Sequence, residues 1–360
     1  MRSVRRSAAG HAHVAYRAWV RAFVLGGTGL VGRAISRRLA AAGWAVEVVG
    51  RDPAHFPVDL AESGARFVAA DRSDARALAT AFGGGADLLV DCVCFTRSDA
   101  EILLPLAANA ASTVMISSKA VYVDAAGRHS NSDEPPRYDG PIRETQPTLS
   151  PGDMDFDSRE GYGPNKVAAE QVLLDSGLPV TVLRPSKIHG EGARPPREWV
   201  FVKRVLDRRN ALLLARQGRG IDHPSAAVNI AALVETVAAK PGGRILNSAD
   251  PDAPSGLEIA RTVARHLNHE WEEVLLDDNA DPALGWHPWN LRYPVVLDTS
   301  AALELGYTPV GDYAATVPEV IDWLTSTAGS TNQAQLPPGY DSPYFAAAFD
   351  YAREDTYLNT

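Results

Sequence analysis

Between an apolar run at residues 22–25 and a stretch of helical apolar spacing at residues 33–42, the chain reads Gly26-Gly27-Thr28-Gly29-Leu30-Val31-Gly32. Few segments restrict a fold so tightly. The three-glycine spacing is met through Gly27, Gly29 and Gly32 and again through Gly26, Gly29 and Gly32. One glycine serves a tight turn, one lets a pyrophosphate approach the backbone, and one lets a helix pack closely on a strand. The free N–H groups of the helix's first turn then face that anion. The strand–turn–helix setting separates this loop from a chance glycine cluster. Gly26, Gly27, Thr28, Gly29, Leu30, Val31 and Gly32 are therefore the expected cradle of a dinucleotide cofactor.

The pattern after this loop keeps alternating. Strands are expected at residues 46–49, 66–70, 87–95, 113–117 and 180–184, with helices at 33–42, 73–82, 98–111 and 162–176. Strict β–α alternation with nearly continuous apolar strands predicts a doubly wound parallel sheet covered on both faces. Residues 124–161 break the rhythm with Pro135, Pro136, Pro141, Pro147 and Pro151. A loop of that length is expected to be functional or mobile. The reading divides the chain into an extension at 1–19, a cofactor-binding core at 20–194, a smaller α+β substrate-binding annex at 195–324 with some elements returning to the core, and a tail at 325–360. The extension carries Arg2, Arg5, Arg6 and Arg17 with no acidic residue and no secretory apolar core. It reads as a disordered or non-native arm, so a chain starting at Val20 is expected to fold. In the tail, residues 325–338 read as a linker. Tyr344, Phe345, Ala348, Phe349 and Tyr351 suggest an amphipathic helix docked on the body.

The second strand ends in Val49-Gly50-Arg51-Asp52. An acid at this point would bond a ribose 2′-hydroxyl. Here Gly50 leaves space and Arg51 brings a guanidinium suited to a 2′-phosphate. NADP(H) is therefore the favoured cofactor, with NAD(H) the alternative. Asp71, at the end of the third strand, is a candidate acceptor for the adenine amino group.

Two further motifs follow in order. Ser117 and Ser118 end the fifth strand, at the edge where open α/β sheets bind ligands. Tyr162-Gly163-Pro164-Asn165-Lys166 puts a phenol and an ammonium four residues apart, on one helix face. The cation favours the phenolate form. The tyrosine is then suited to exchanging a proton with a carbonyl or alcohol oxygen.

On these motifs, together with Leu183-Arg184-Pro185-Ser186-Lys187-Ile188-His189-Gly190 and Leu305-Gly306-Tyr307-Thr308-Pro309, the chain resembles the extended short-chain dehydrogenase/reductase superfamily from residue 22 to residue 324. These are the NAD-dependent epimerase/dehydratase-like proteins, with a Rossmann-type sheet. The resemblance implies that Ser118 is the catalytic hydroxyl and Tyr162 the general acid/base. It implies that Lys166 binds the nicotinamide ribose and tunes Tyr162. It also implies a small-molecule substrate and a homodimer. Departures narrow the activity. Dehydratases of the family carry an Asp-Glu pair where this chain has Lys119 and Ala120, so dehydration is not expected. Nucleotide-sugar epimerases usually carry Asn at the position of Lys187. Lys187 reads either as a ligand for an anionic substrate or as a solvated charge. His189 reads as a pocket residue or a structural one, and Asp222-His223 has the same two readings. The segment Phe95-Thr96-Arg97-Ser98-Asp99-Ala100 is similar to an atypical subgroup, some of whose members lack the catalytic tyrosine that this chain keeps.

Composition excludes some alternatives. A net charge of −9 gives no reason to expect nucleic acid as a partner. No run of about twenty apolar residues suggests a membrane span. Cys92 and Cys94 lack partners for a disulfide framework or a metal site, and fit buried thiols in a reducing cytoplasm. The expected activity is hydride transfer between NADP(H) and a carbonyl or alcohol. A nucleotide-sugar epimerase is the second reading, and a non-catalytic cofactor-sensing or scaffold protein the third. Trp199, Phe201, Trp286, His287, Trp289 and Tyr293 are candidates for pocket walls or annex core.

Overall fold

A computed structural model describes residues 20–281, 283–329, 343–345 and 348–359. The expected arm at 1–19 and most of the expected linker lie outside the described residues. In chain order the strands are β1 (Arg21–Leu25), β2 (Ala45–Gly50), β3 (Arg66–Ala69), β4 (Ala86–Asp91), β5 (Ala110–Ile116), β6 (Val180–Pro185), β7 (Lys187–His189), β8 (Ala211–Leu214), β9 (Pro224–Ala226), β10 (Arg244–Ser248) and β11 (Glu272–Leu275). The central sheet has seven strands in the order β10-β6-β5-β4-β1-β2-β3, and every pairing in it is parallel. The chain thus reverses its direction of travel across the sheet between β1 and β4, which opens a crevice beyond their carboxyl ends.

The period-two alternation of each strand splits the core. Ala22 and Val24 of β1 face the helices α1 (Leu30–Ala41) and α7 (Ala227–Ala239), where Ile35, Leu39 and Ile230 pack. Phe23 and Leu25 face the other layer, made by α3 (Ala75–Phe82), α4 (Arg97–Ala107) and α5 (Tyr162–Asp175), through Leu78, Leu103 and Leu173. Full burial of side chains of this size is worth ~1.5–3 kcal/mol each. A short α2 (Val58–Glu62) precedes β3. The annex has its own core, where Trp199 and Phe201 of α6 (Trp199–Leu206) meet Ile259 and Val263 of α8 (Gly256–His266), with Trp289 beside them. Beyond it come α9 (Ser300–Glu304), α10 (Tyr313–Thr316), α11 (Pro318–Gly329) and α12 (Tyr351–Leu358).

Several local expectations need correction. α1 starts at Leu30, three residues early, because Gly29 in extended conformation is its N-cap. β4 stops at Asp91 rather than running to Phe95. There the Asp91 carboxylate accepts the Val93 N–H at 2.8 Å. A reciprocal capping box between Thr96 and Asp99 starts the next helix. The long loop at 124–161 is hydrogen-bonded within itself and to the segment before it. Asp124 accepts three backbone N–H groups, from Ala126, Arg128 and Arg137, and Tyr138 bonds the Tyr122 carbonyl. In the tail, residues 325–329 continue α11, and the last helix begins at Tyr351, capped by Asp350. Phe345 and Ala348 are buried in the annex core nonetheless. Arg204 anchors the segment, donating to both Glu354 carboxylate oxygens at 2.8 and 2.6 Å and to the Ala348 carbonyl at 2.6 Å. No helix of the described residues is long and apolar enough to cross a membrane.

Candidate active site

The glycine loop runs from the end of β1 into α1, and its glycines are required by space. Gly26 has φ +72, in the left-handed region, and a Cβ there would meet a Val93 methyl at 2.8 Å. A Cβ on Gly32 would lie 2.3 Å from the Gly26 carbonyl oxygen and 2.6 Å from the Gly27 Cα. Gly32 is therefore the residue that lets the helix sit against the turn. Thr28 and Gly26 line a cavity of about 450 Å³ together with Gly50, Arg51 and Asp71, so the ends of β1, β2 and β3 converge on one cleft. Leu30 lies instead at the neighbouring cavity, and Val31 is packed in the core. Asp71 is exposed. Its carboxylate accepts the Ser73 hydroxyl at 2.7 Å and the Ser73 N–H at 2.9 Å, which holds it below the usual carboxylate range. Arg72 turns inward and pairs with the fully buried Asp91 and with Asp99. Sequence reasoning did not single out Arg72, because its partner arrives from a different strand. A glycine cradle that any Cβ would fill, with a guanidinium and a carboxylate at its far end, fits a nicotinamide dinucleotide.

The two serines after β5 point in different directions, as neighbours in extended chain must. Ser117 hydrogen-bonds Glu170, which Arg184 clamps at 2.5 Å within the core. Ser118 lines a cavity, and its Oγ accepts the Ala120 N–H at 3.1 Å. Tyr162 at the start of α5 lines the same cavity. Gly163 makes this possible: a Cβ there would lie 3.0 Å from the Ala120 carbonyl oxygen, so the helix start can press against the segment after Ser118. Lys166 is buried one turn on. Its Nζ donates to the Cys94 carbonyl at 2.7 Å and the Ile116 carbonyl at 3.0 Å, and lies 4.2 Å from the Phe95 ring centre. Phe95 also stacks on Phe156 at 5.3 Å, and its ring lies 6.4 Å from that of Tyr162. The two phenylalanines line the glycine cleft, so the cleft and the serine–tyrosine cavity adjoin here. Phe156, in the proline-rich loop, gave no sequence signal.

The second cavity, of about 670 Å³, is strongly cationic. Lys119 and Lys187 both pair with Asp222, Lys187 at 2.7 Å. Burial, with Arg197 beside it, pushes the Lys119 ammonium down to about 7, and burial with Arg197 and Lys119 nearby pushes Lys187 well below its ordinary range. Trp286 and His287 line the cavity, and burial pushes His287 down to about 4, so it is neutral near pH 7. Trp199, Phe201 and Trp289 belong to the annex core, and Tyr293 lies under Arg137 at 5.5 Å. Tyr344, from the tail, reaches the cavity wall.

His189 is not among these residues. Its Nε2 meets Asp250 at 2.8 Å, and its ring borders a separate cavity of about 360 Å³ between α1 and α7 that holds neither Ser118 nor Tyr162. Burial alone would pull the His189 imidazole down. The Asp250 carboxylate outweighs it and raises the His189 pKa. Cys92 and Cys94 are unpaired thiols, and burial pushes both up, so neither is a ready nucleophile.

Comparison with known proteins agrees with this fold. Residues 26–204 match the family described as NAD(P)H-binding. No curated protein matches the sequence. Among solved structures, the fold is similar to dTDP-glucose 4,6-dehydratase from Bacillus anthracis in complex with NAD, at 15% identity over 85% of this chain and 97% of that one, with a TM-score of 0.63. It is similar to UDP-glucose 4-epimerase from Thermotoga maritima with UDP-glucose, at 15% identity over 86% and 99% of the two chains, TM-score 0.64. UDP-N-acetylglucosamine 4-epimerase from Methanobrevibacter ruminantium gives 15% identity, the same coverage and a TM-score of 0.65. Residues 26–204 thus match the NAD(P)H-binding family, and the chain shares the Rossmann-type fold of these dehydratase and epimerase structures.

Proposed function

We propose that the protein is an NADP(H)-dependent oxidoreductase of a carbonyl or alcohol substrate, with Tyr162 as general acid/base. The observation that carries this reading is that Ser118 and Tyr162, from elements far apart in sequence, line one cavity adjoining the glycine cleft. The glycine loop, which lines the cleft at Gly26 and Thr28, would hold the pyrophosphate, with Arg51 and Asp71 at the adenosine end. Bound in this cleft, the nicotinamide supplies or takes the hydride, so the protein's share is placement, proton transfer and electrostatics. The Ala120 N–H already occupies Ser118 Oγ as an acceptor, which leaves the hydroxyl proton for the substrate oxygen. In the reducing direction Tyr162 Oη gives its proton to that oxygen, with the Lys166 ammonium 6.0 Å from the Tyr162 ring centre. Lys166 uses two of its three N–H donors on carbonyls, so one remains for the nicotinamide ribose.

The test is a Tyr162→Phe variant in a screen that follows NADPH oxidation. Turnover should fall by ~10²–10⁴-fold, while fluorescence titration shows NADPH binding unchanged. Equal turnover in the variant would remove Tyr162 from the chemistry. A second reading, epimerisation through transient oxidation, uses the same residues. The UDP-sugar epimerases among the structural neighbours favour it. Denaturing the purified protein separates the two. Stoichiometric NAD released from it would support the epimerase, and an empty site preferring NADPH the reductase.

A further inference from the structure

The substrate cavity carries an unbalanced charge beside its reacting end. Lys119 is bonded directly to Ser118. Lys187 opens β7, which pairs with β9 through Lys187 and Pro224, and this pairing brings Asp222 next to both lysines. The three side chains are only 11%, 12% and 8% exposed. Two ammonium groups thus share one carboxylate away from bulk water. Arg194 and Arg197 line the same cavity, where Asp222 is the one carboxylate among the described lining residues. The Lys187 ammonium also donates to the Pro288 carbonyl at 2.6 Å, a neutral acceptor that adds no second counter-charge. Arg197 Nε is buried with no hydrogen-bond partner among the described residues, and so are Ser186 Oγ and Asn290 Oδ1 at the same cavity. A buried cation without its own counter-ion either loses its proton or gains an anion.

Resting on the oxidoreductase reading above, we infer that Lys119 and Lys187 receive an oxyanion carried by the substrate close to its reacting carbon, a carboxylate or a phosphate, and that the class of substrate is a hydroxylated acid of this kind. Ser118, Lys119 and Lys187 all line this one cavity, which sets the position. An oxyanion at the two ammoniums lies at the same end of the cavity as the hydroxyl that holds the reacting oxygen. Asp222 then acts as a positioning residue. It keeps the lysines together and competes with the substrate for them. Ser186 and Asn290 add polar residues to the same cavity wall.

The experiment is a calorimetric titration of the full chain, saturated with NADP⁺, with three probes. D-Glucuronate and D-glucose differ in having a carboxylate or a hydroxymethyl group, and inorganic phosphate tests the other source of the oxyanion. Glucuronate or phosphate should bind saturably and at least tenfold more tightly than glucose. Whichever of the two binds identifies the source. Lys119→Gln and Lys187→Gln should each weaken that binding at least tenfold, Lys119→Arg should restore most of it, and Asp222→Asn should tighten it. NADPH titration of every variant reports whether it is folded; a variant that does not fold is replaced by Arg197→Gln, for which a fivefold loss is expected. Overturning results are equal binding of glucuronate and glucose, absence of binding by both anions, or anion binding indifferent to Lys119 and Lys187. With NADPH binding and the Tyr162 effect intact, any of these removes the oxyanion site alone. Loss of the Tyr162 effect would instead remove the oxidoreductase reading.

Discussion

The glycine cleft and the serine–tyrosine cavity adjoin along one edge of the sheet, and they are built by opposite means. The cleft is made of backbone and missing side chains: seven consecutive residues from Gly26 to Gly32 turn from β1 into α1, and a Cβ on Gly32 would collide with main-chain atoms. The cavity is made of charged and aromatic side chains. Lys119, Lys187, Arg197, Asp222, Trp286 and Tyr344 come from as many separate stretches of chain. The difference teaches where each kind of specificity lies. A site that recognises a pyrophosphate through N–H groups and empty space depends on one local turn. A site that recognises a substrate by charge depends on the annex and the tail holding distant residues in register.

If the two regions are separately supported, each should break without the other. The largest effect is expected at the tail anchor. Glu354→Gln leaves the Arg204 guanidinium buried without its carboxylate, and breaking a buried pair costs ~3–5 kcal/mol. Chemical denaturation should report that loss as destabilisation of the annex, while NADPH titration in buffer stays near wild type. Parallel loss of NADPH binding would show the regions to be one unit. Gly32→Ala is the converse. Its methyl group would need main-chain atoms to move, at ~1–3 kcal/mol for an overpacked site. NADPH binding should fail while the annex transition is kept. Next in size is Arg51→Ala, which should weaken NADPH about tenfold with NADH unchanged. That is the low end of the ~1.5–3 kcal/mol for a hydrogen bond to a charged group, because Arg51 is exposed. Equal affinities before and after the change would remove the NADP(H) preference.

The smallest effect concerns the His189–Asp250 pair that ties β7 to the segment after β10. His189 is raised in the folded state, so its contribution is present below the unfolded value near 6.5 and lost as pH rises through the raised value. Asp250 is lowered: burial alone would raise it, and the His189 hydrogen bond and charge outweigh that. Its contribution is present above about 3.8 and lost as pH falls through the depressed value. The Tm difference between wild type and His189→Gln should therefore be widest between about pH 4 and 6.5 and narrow toward pH 9. A difference that grows above pH 7 would contradict the pairing.

What was legible before any coordinates follows the same division. The glycine spacing, the parallel sheet and the Tyr162–Lys166 spacing are relations within a turn or two of chain. The end of β4 was misjudged because Asp91, Thr96 and Asp99 stop the strand through side-chain bonds that apolar counting overlooks. The tail helix was placed early because its apolar residues, Phe345 and Ala348, are buried by docking rather than by helical periodicity. His189 was read beside Lys187 because they are two residues apart. That spacing on β7 puts their side chains on one face, yet Asp250 and Asp222 draw them into different surroundings.

The sequence by itself determined the doubly wound sheet, the turn that cradles a dinucleotide and the helix that carries Tyr162 and Lys166, since local spacing and short-range sterics suffice for each. Only the tertiary structure decided that Lys119 and Lys187 share Asp222, that Arg204 and Glu354 anchor the tail, and that Tyr344 lines the cavity. Those contacts join residues tens to more than a hundred positions apart. No spacing rule reaches across such loops; the pairing of β7 with β9 and the packing of the annex core bring them together.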